Sequence, residues 1–158
     1  MKTLLVIRHG KSLHNDYVFS DFQRHLNGKG YEEAREAALW LTNQGFTPDL
    51  LVTSPAIRAF TTAVVVAQYI GYAPGDIILQ EAIYEASVNT LMYVLQSLPD
   101  TADTVAIFGH NPGFTELVQA LAPNSIEHIQ TAGVAALELK ITKWNEVALN
   151  CGRLEARN

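Results

Sequence analysis

Apolar residues follow two rhythms in this chain. Residues 3–8 (Thr-Leu-Leu-Val-Ile-Arg), 49–53 (Asp-Leu-Leu-Val-Thr) and 104–108 (Thr-Val-Ala-Ile-Phe) are short, nearly unbroken apolar runs, the pattern of strands buried on both faces. Ile77-Ile78-Leu79 predicts a further short strand. Between these runs the spacing turns helical. Tyr31, Ala34, Ala38 and Leu41 mark a helix over 30–44 that Gly45 stops, and Ala63, Val66, Ala67 and Ile70 mark a second that ends at Gly71. Ser54-Pro55 reads as the N-cap and first residue of that second helix. A third helix is expected over about 88–98, before Pro99. Asn111-Pro112 repeats the Ser54-Pro55 device ahead of a fourth, running to about Ala122. Residues 133–140 and 146–151 read as two late strands forming a hairpin at a sheet edge. The polar stretch 10–28 is long for a plain connection, and such loops are often functional. Strands alternating with helices predict an α/β sandwich on a mostly parallel sheet.

Composition narrows the function. The 158 residues fit a single domain, 1–158, with a core of ordinary size. The net charge is −5, with no basic stripe or polybasic cluster, which argues against a nucleic-acid partner or a membrane surface. An anionic substrate must then be drawn by a local cluster of cations. The single cysteine, Cys151, allows neither an internal disulfide nor a thiolate zinc site and is expected to be a small buried residue. The apolar run after Lys2 stops at Arg8, too short for a signal peptide, and no run reaches a membrane span. A cytoplasmic protein is expected.

Three strand ends carry unusual residues: Arg8-His9-Gly10 after the first, Arg58 in the first helical turn after the second, and Gly109-His110-Asn111 after the 104–108 strand. In an open parallel sheet the ligand crevice lies beyond the carboxyl ends of the strands, so residues far apart in sequence can meet there. Alone, each has an ordinary reading, as a surface arginine or a structural histidine. Together, two arginines can clamp phosphate oxygens and lower the pKa of a nearby imidazole, and a neutral imidazole is a competent nucleophile toward phosphorus. The cluster therefore predicts phosphoryl transfer with a histidine nucleophile, no metal and no cofactor; the charge on phosphate is expected to meet Arg8, Arg58 and a protonated His110. A zinc site is conceivable but lacks thiols and any H-x-x-x-H or H-E-x-x-H spacing. His14, His25 and His128 read as surface residues.

These residues resemble known signatures. Arg8-His9-Gly10 is similar to the RHG motif of the histidine phosphatase superfamily, the phosphoglycerate-mutase-like proteins, and the run to Asn15 is similar to its RHGxSxxN. Ser54-Pro55-Ala56-Ile57-Arg58-Ala59 resembles the second signature, with Thr61-Thr62 where the family often has Q-T, and Gly109-His110-Asn111 resembles the third. The resemblance implies a three-layer α/β/α sandwich of the phosphoglycerate mutase-like kind. It implies His9 as nucleophile, a phosphate pocket of Arg8, Arg58 and His110, and support from Asn15, Ser54 and the Asn111 backbone. It also implies a proton-donor carboxylate between the second and third signatures, where Glu85 fits best and Glu81 competes. Lys11 stands where the family often has Glu or Asp and adds a cation at the mouth.

Within the superfamily the chain looks most like the small bacterial SixA-type phosphohistidine phosphatases. Arg24-His25-Leu26 followed by Gly30 is similar to their R-x-L-x-x-x-G, and only residues 59–84 separate Arg58 from Glu85, leaving no room for the longer insertion of mutases. The implied function is hydrolysis of a phosphoryl group on a protein, such as a phosphohistidine domain, or on a small metabolite. A mutase or a sugar-phosphate or nucleotide phosphatase is the enzymatic alternative. A non-catalytic phosphate-binding module is the alternative of another class.

Overall fold

A computed structural model describes residues 1–14 and 20–158. Asn15 lies outside the described residues. Ten regular elements follow in order: β1 (Lys2–Arg8), α1 (Gly28–Gln44), β2 (Leu50–Thr53), α2 (Ile57–Ile70), β3 (Ile78–Leu79), α3 (Val88–Gln96), β4 (Thr104–Gly109), α4 (Gly113–Leu121), β5 (Val134–Leu139) and β6 (Gly152–Arg157).

The six strands form one sheet in the order β3-β2-β4-β1-β5-β6. β3, β2, β4 and β1 run parallel, while β5 and β6 are added antiparallel at one side. Successive side chains on a strand point to opposite faces, so each central strand feeds two cores. Leu4, Val6, Val105 and Ile107 pack with α3 and α4. Leu5, Ile7, Ala106 and Phe108 pack with α1 and α2. The result is a three-layer α/β/α sandwich of the phosphoglycerate mutase-like kind, as expected. No described helix is long and apolar enough to cross a membrane.

Four local expectations need correction. The last strand is not 146–151: Trp144–Glu146 is a 3-10 turn, Val147 alone of 147–150 is buried, and the strand is Gly152–Arg157. Arg153, Glu155 and Arg157 alternate outward along it, so its charged edge concealed it; the edge hairpin itself is present. α2 starts at Ile57 with Ala56 as N-cap, not at Pro55, and α4 starts at Gly113, not at Pro112. Ser54 and Asn111 still bond the helix starts, Ser54 Oγ accepting from Ala56 N and Asn111 Oδ1 from Thr115 N, but their polar ends also serve the site. Cys151 is half-buried against the α3/α4 core rather than fully buried.

For the site, the decisive feature is strand adjacency. β4 lies between β2 and β1, with Thr53 beside Phe108 and Gly109 beside Arg8. Parallel register therefore brings three chain exits to one edge of the sheet.

Candidate active site

Backbone ladders continue past the strand ends and fix the site residues. His9 N donates to Gly109 O at 3.0 Å, and Ser54 N donates to Phe108 O at 3.0 Å. His9 and His110 come together with ring centroids 5.3 Å apart. Only 7 % of His9 is exposed. Its Nδ1 lies 2.7 Å from Gly10 O. A carbonyl only accepts, so Nδ1 carries the hydrogen and Nε2 keeps its lone pair. Arg58 Nε donates to that Nε2 at 3.3 Å.

Burial, with the charges of Arg58, Arg8 and Arg24, pushes the His9 pKa down to about 4, against a partial opposing effect of the Gly10 bond. Burial and Arg58 push His110 down to about 3, with Asp21 opposing. Both imidazoles are therefore neutral near pH 7. The expectation of a protonated His110 is corrected for the unliganded protein: a half-buried ring beside an arginine disfavours a second cation. His110 Nε2 lies 2.8 Å from Ser54 Oγ, and its buried Nδ1 has no partner among the described residues.

The glycine after His9 is required. A Cβ on Gly10 would stand 2.5 Å from Gly30 O, and one on Gly30 would press still closer on Lys11 O. The loop leaving β1 thus crosses the start of α1 backbone to backbone. Gly10 N donates to Thr62 Oγ1 at 3.0 Å, and that hydroxyl donates to Arg58 O at 2.7 Å, tying the first signature to the second.

Arg8 leaves β1 with Nη1 donating to Ile129 O at 3.1 Å and His128 Nε2 at 3.5 Å. Its buried Nε has no partner, and it forms no ion pair among the described residues. Burial lowers its pKa, partly offset by Glu33. Asn111 Nδ2 donates to the same Ile129 carbonyl-bearing segment, at 2.8 Å to Ile129 O. Lys11 is exposed and its backbone N donates to Glu33 Oε1.

The loop before α1 supplies residues that the sequence reasoning missed. Asp21 holds Arg58 twice: its backbone O accepts from Nη1 at 2.6 Å and its Oδ2 from Nη2 at 3.0 Å. Asp21 Oδ1 accepts from Arg24 Nη1 at 2.8 Å, and Oδ2 from the Tyr84 hydroxyl at 2.6 Å. Tyr84 stands edge-on to His110 and to Phe22. Arg24 also donates to Leu13 O and to Ser12 Oγ. Asp21 stands three residues before Arg24 in the sequence, a spacing that carries no sign of the contact with Arg58. His128, though exposed as expected, stands beside Arg8.

The candidate proton donors are peripheral. Glu85 is exposed, with a left-handed backbone (φ 52°). Its carboxylate bears on the Tyr84 hydroxyl, whose pKa is pushed up to about 12 by burial, Asp21 and Glu85. Glu81 is exposed in a 3-10 turn. Among the described residues no group of three or more His, Cys, Asp and Glu is placed to hold a metal ion.

His9, His110, Arg58 and Arg8 are thus gathered at the carboxyl ends of parallel strands. The chain belongs to the histidine phosphatase superfamily (branch 1), whose family model matches residues 4–97. An uncharacterised chloroplastic protein of Arabidopsis thaliana is 27% identical over 154 residues, spanning 92% of this chain and 70% of that one. A 2,3-bisphosphoglycerate-dependent phosphoglycerate mutase of Nitratidesulfovibrio vulgaris is 34% identical over 118 residues, spanning 72% of this chain and 45% of that one. Among solved structures, the putative phosphohistidine phosphatase SixA of Agrobacterium tumefaciens superposes with a TM-score of 0.83 at 23% identity, covering 99% of this chain and 97% of that one. A protein histidine phosphatase SixA complexed with tungstate gives 0.82 at 23% identity, covering 98% and 95%.

Proposed function

We propose that the protein is a phosphatase of one domain that acts without a metal or cofactor through a phosphohistidine on His9, and that its substrate is a phosphoryl group displayed on a protein, phosphohistidine foremost. The observation that carries the reading is the state of His9: its Nδ1 hydrogen is committed to Gly10 O, and its Nε2 lone pair faces Arg58. A buried imidazole whose pKa is about 4 needs no base to free it at neutral pH.

In the first step the Nε2 lone pair attacks phosphorus, and the bond from phosphorus to the leaving oxygen or nitrogen breaks. The leaving group departs with its electron pair and takes a proton from the carboxyl group of Glu85, with Glu81 as the competing donor, or keeps its own where it is a protonated imidazole. In the second, water attacks phosphorus and gives a proton to the carboxylate that acted as donor, the Nε2–P bond breaks, inorganic phosphate leaves, and the imidazole regains its lone pair. Arg58, Arg8 and the His110 Nδ1 face the transferring oxygens, with Lys11, Ser54, Asn15 and the Asn111 backbone in support. Ser54 Oγ, which accepts from Ala56 N, gives its one hydrogen to His110 Nε2 in this reading. That leaves the imidazole hydrogen on Nδ1, a neutral donor for phosphate.

The protein-substrate reading rests on how little chain stands between the signatures. From α2 to Tyr84 there are only two 3-10 turns and the two-residue β3, so no inserted segment covers the site from that side. The likeness to the mutase of N. vulgaris favours a small phosphorylated metabolite as the second reading.

The test is a brief incubation with a phosphohistidine protein, a phosphoserine peptide and a sugar phosphate, each quenched in alkali. Acid-labile label on His9, absent from His9→Ala, with the phosphohistidine protein turned over fastest, is the expected result. Label retained by a folded His9→Ala protein overturns the nucleophile. A faster sugar phosphate overturns the substrate class, and no turnover of any leaves a phosphate-binding module.

A further inference from the structure

A guanidinium has two hydrogen-bonding edges at its charged end: an end edge carrying Nη1 and Nη2, and a side edge carrying Nε and Nη2. Each can clamp an oxyanion bidentately. In Arg58 the two edges are given different partners. The end edge is taken up by Asp21, whose carbonyl accepts from Nη1 and whose carboxylate accepts from Nη2. The side edge is turned to the nucleophile, with Nε on His9 Nε2.

We infer that Asp21 is a positioning residue: it occupies the end edge of Arg58 so that the side edge stays aimed at the phosphorus bound in front of His9. This deepens the phosphatase reading and rests on it for its catalytic consequence.

Arg58 needs such a holder. Its Cα lies in the first turn of α2, where the positive end of the helix disfavours a cation, and its long side chain has several rotatable bonds to fix. Asp21 is itself fixed. Its Oδ1 is bound by Arg24, its Oδ2 by the Tyr84 hydroxyl as well as by Arg58, and Arg24 is anchored on Leu13 O. The carboxylate pKa is held down by Tyr84, Arg58 and Arg24 against the opposing effect of burial, so it remains an anion and an acceptor at neutral pH. An alternative role, the carboxylate as an internal rival for the phosphate pocket, would set it against His9 or its Nε donor. It bonds Nη2, and Nε is left to His9.

The test compares Asp21→Ala and Asp21→Asn with the native protein, all checked for folding by near-ultraviolet circular dichroism. The first readout is the titration of the His9 imidazole by NMR without substrate, which does not depend on any activity. His9 is faced by Arg58, Arg8, Arg24 and His110, and Arg58 is the closest cation. Release of Arg58 in Asp21→Ala moves the His9 pKa upward from about 4. Asp21→Asn, which keeps an oxygen for Nη2, stays nearer the native value. The second readout is turnover of an aryl phosphate: kcat falls roughly 10²-fold in Asp21→Ala, the cost typical of a misplaced catalytic group, with a smaller fall in Asp21→Asn. A His9 titration unchanged or lowered in folded Asp21→Ala overturns the inference, as does tighter inhibition by inorganic phosphate with kcat intact, the mark of a rival carboxylate. If no variant and not even the native protein turns over substrate, the phosphatase reading fails while the titration still decides the role of Asp21.

Discussion

Acid should destabilise this protein well before its carboxylates titrate, and His9 is one measurable cause. The ring is buried, and its pKa is about 4 when folded against about 6.5 in an unfolded chain. Between those values the unfolded state binds a proton that the native state refuses, so stability rises with pH through the window and falls on acidification. One proton corresponds to about 1.36 kcal/mol per pH unit. From neutrality to about pH 5 the window spans roughly 1.5 units, so His9 withdraws about 2 kcal/mol. That endpoint lies above the folded-state range of Asp21, whose pKa is held down, so its ion pair with Arg58 survives. The assay is urea unfolding of the native protein and of His9→Asn at several pH values between 7 and 5. The difference in unfolding free energy should move by about 2 kcal/mol in favour of His9→Asn across this range. A difference independent of pH would show that the folded His9 keeps the ordinary imidazole pKa, and the argument that burial frees the nucleophile would fall with it.

Two further outcomes follow from single contacts. Thr62→Val keeps shape but leaves Gly10 N, now bonded to Thr62 Oγ1, without an acceptor in a buried place; the expected loss is about 1–3 kcal/mol of stability, read by urea unfolding, and an unchanged midpoint would mean that water replaces the hydroxyl. Glu85→Gln should cut kcat/KM on an alkyl phosphate or phosphoserine by the roughly 10²–10⁴-fold of a lost general acid and much less on phosphohistidine, whose imidazole leaving group can carry its own proton near neutral pH; equal losses on both substrates reject the leaving-group argument, and a large loss only in Glu81→Gln transfers the role to Glu81.

Much of the fold was legible because its central strands are buried on both faces and therefore apolar throughout, and because glycine stops its first two helices. The position of Arg8, His9, Arg58 and His110 was legible for a topological reason: parallel strands deliver their ends to one edge. What escaped were features that no periodicity encodes. β6 alternates weakly apolar with charged residues at an edge, and such a strand looks like a polar tail. Asp21 sits in a loop, where the contacts of a side chain depend on how the loop folds back rather than on spacing. Thr62 was visible as part of the second signature, but its bond to Gly10 N required knowing that the β1 exit crosses α2. The charge of His110 was misjudged because the sequence shows two arginines as a source of attraction for phosphate and does not show that the half-buried ring lies beside Arg58.

That last correction changes how the two histidines divide the work. If both are neutral before substrate arrives, charge cannot distinguish nucleophile from donor, and tautomer must. The distinction lies in which ring nitrogen is already engaged. His9 gives Nδ1 to the carbonyl of its own neighbour, Gly10, so the nitrogen left over is Nε2, a lone pair beside Arg58. His110 has Nε2 against Ser54 and leaves Nδ1 without a partner among the described residues, so with the serine hydrogen supplied, the nitrogen left over is a donor. Each fixing partner lies at the exit of a different strand: Gly10 after β1, and Ser54 after β2. In the proposed mechanism, residues of one type take opposite roles because the sheet presents them with opposite neighbours. The arginines then need only supply charge and direction, which places the burden on their orientation, and for Arg58 on the carboxylate behind it.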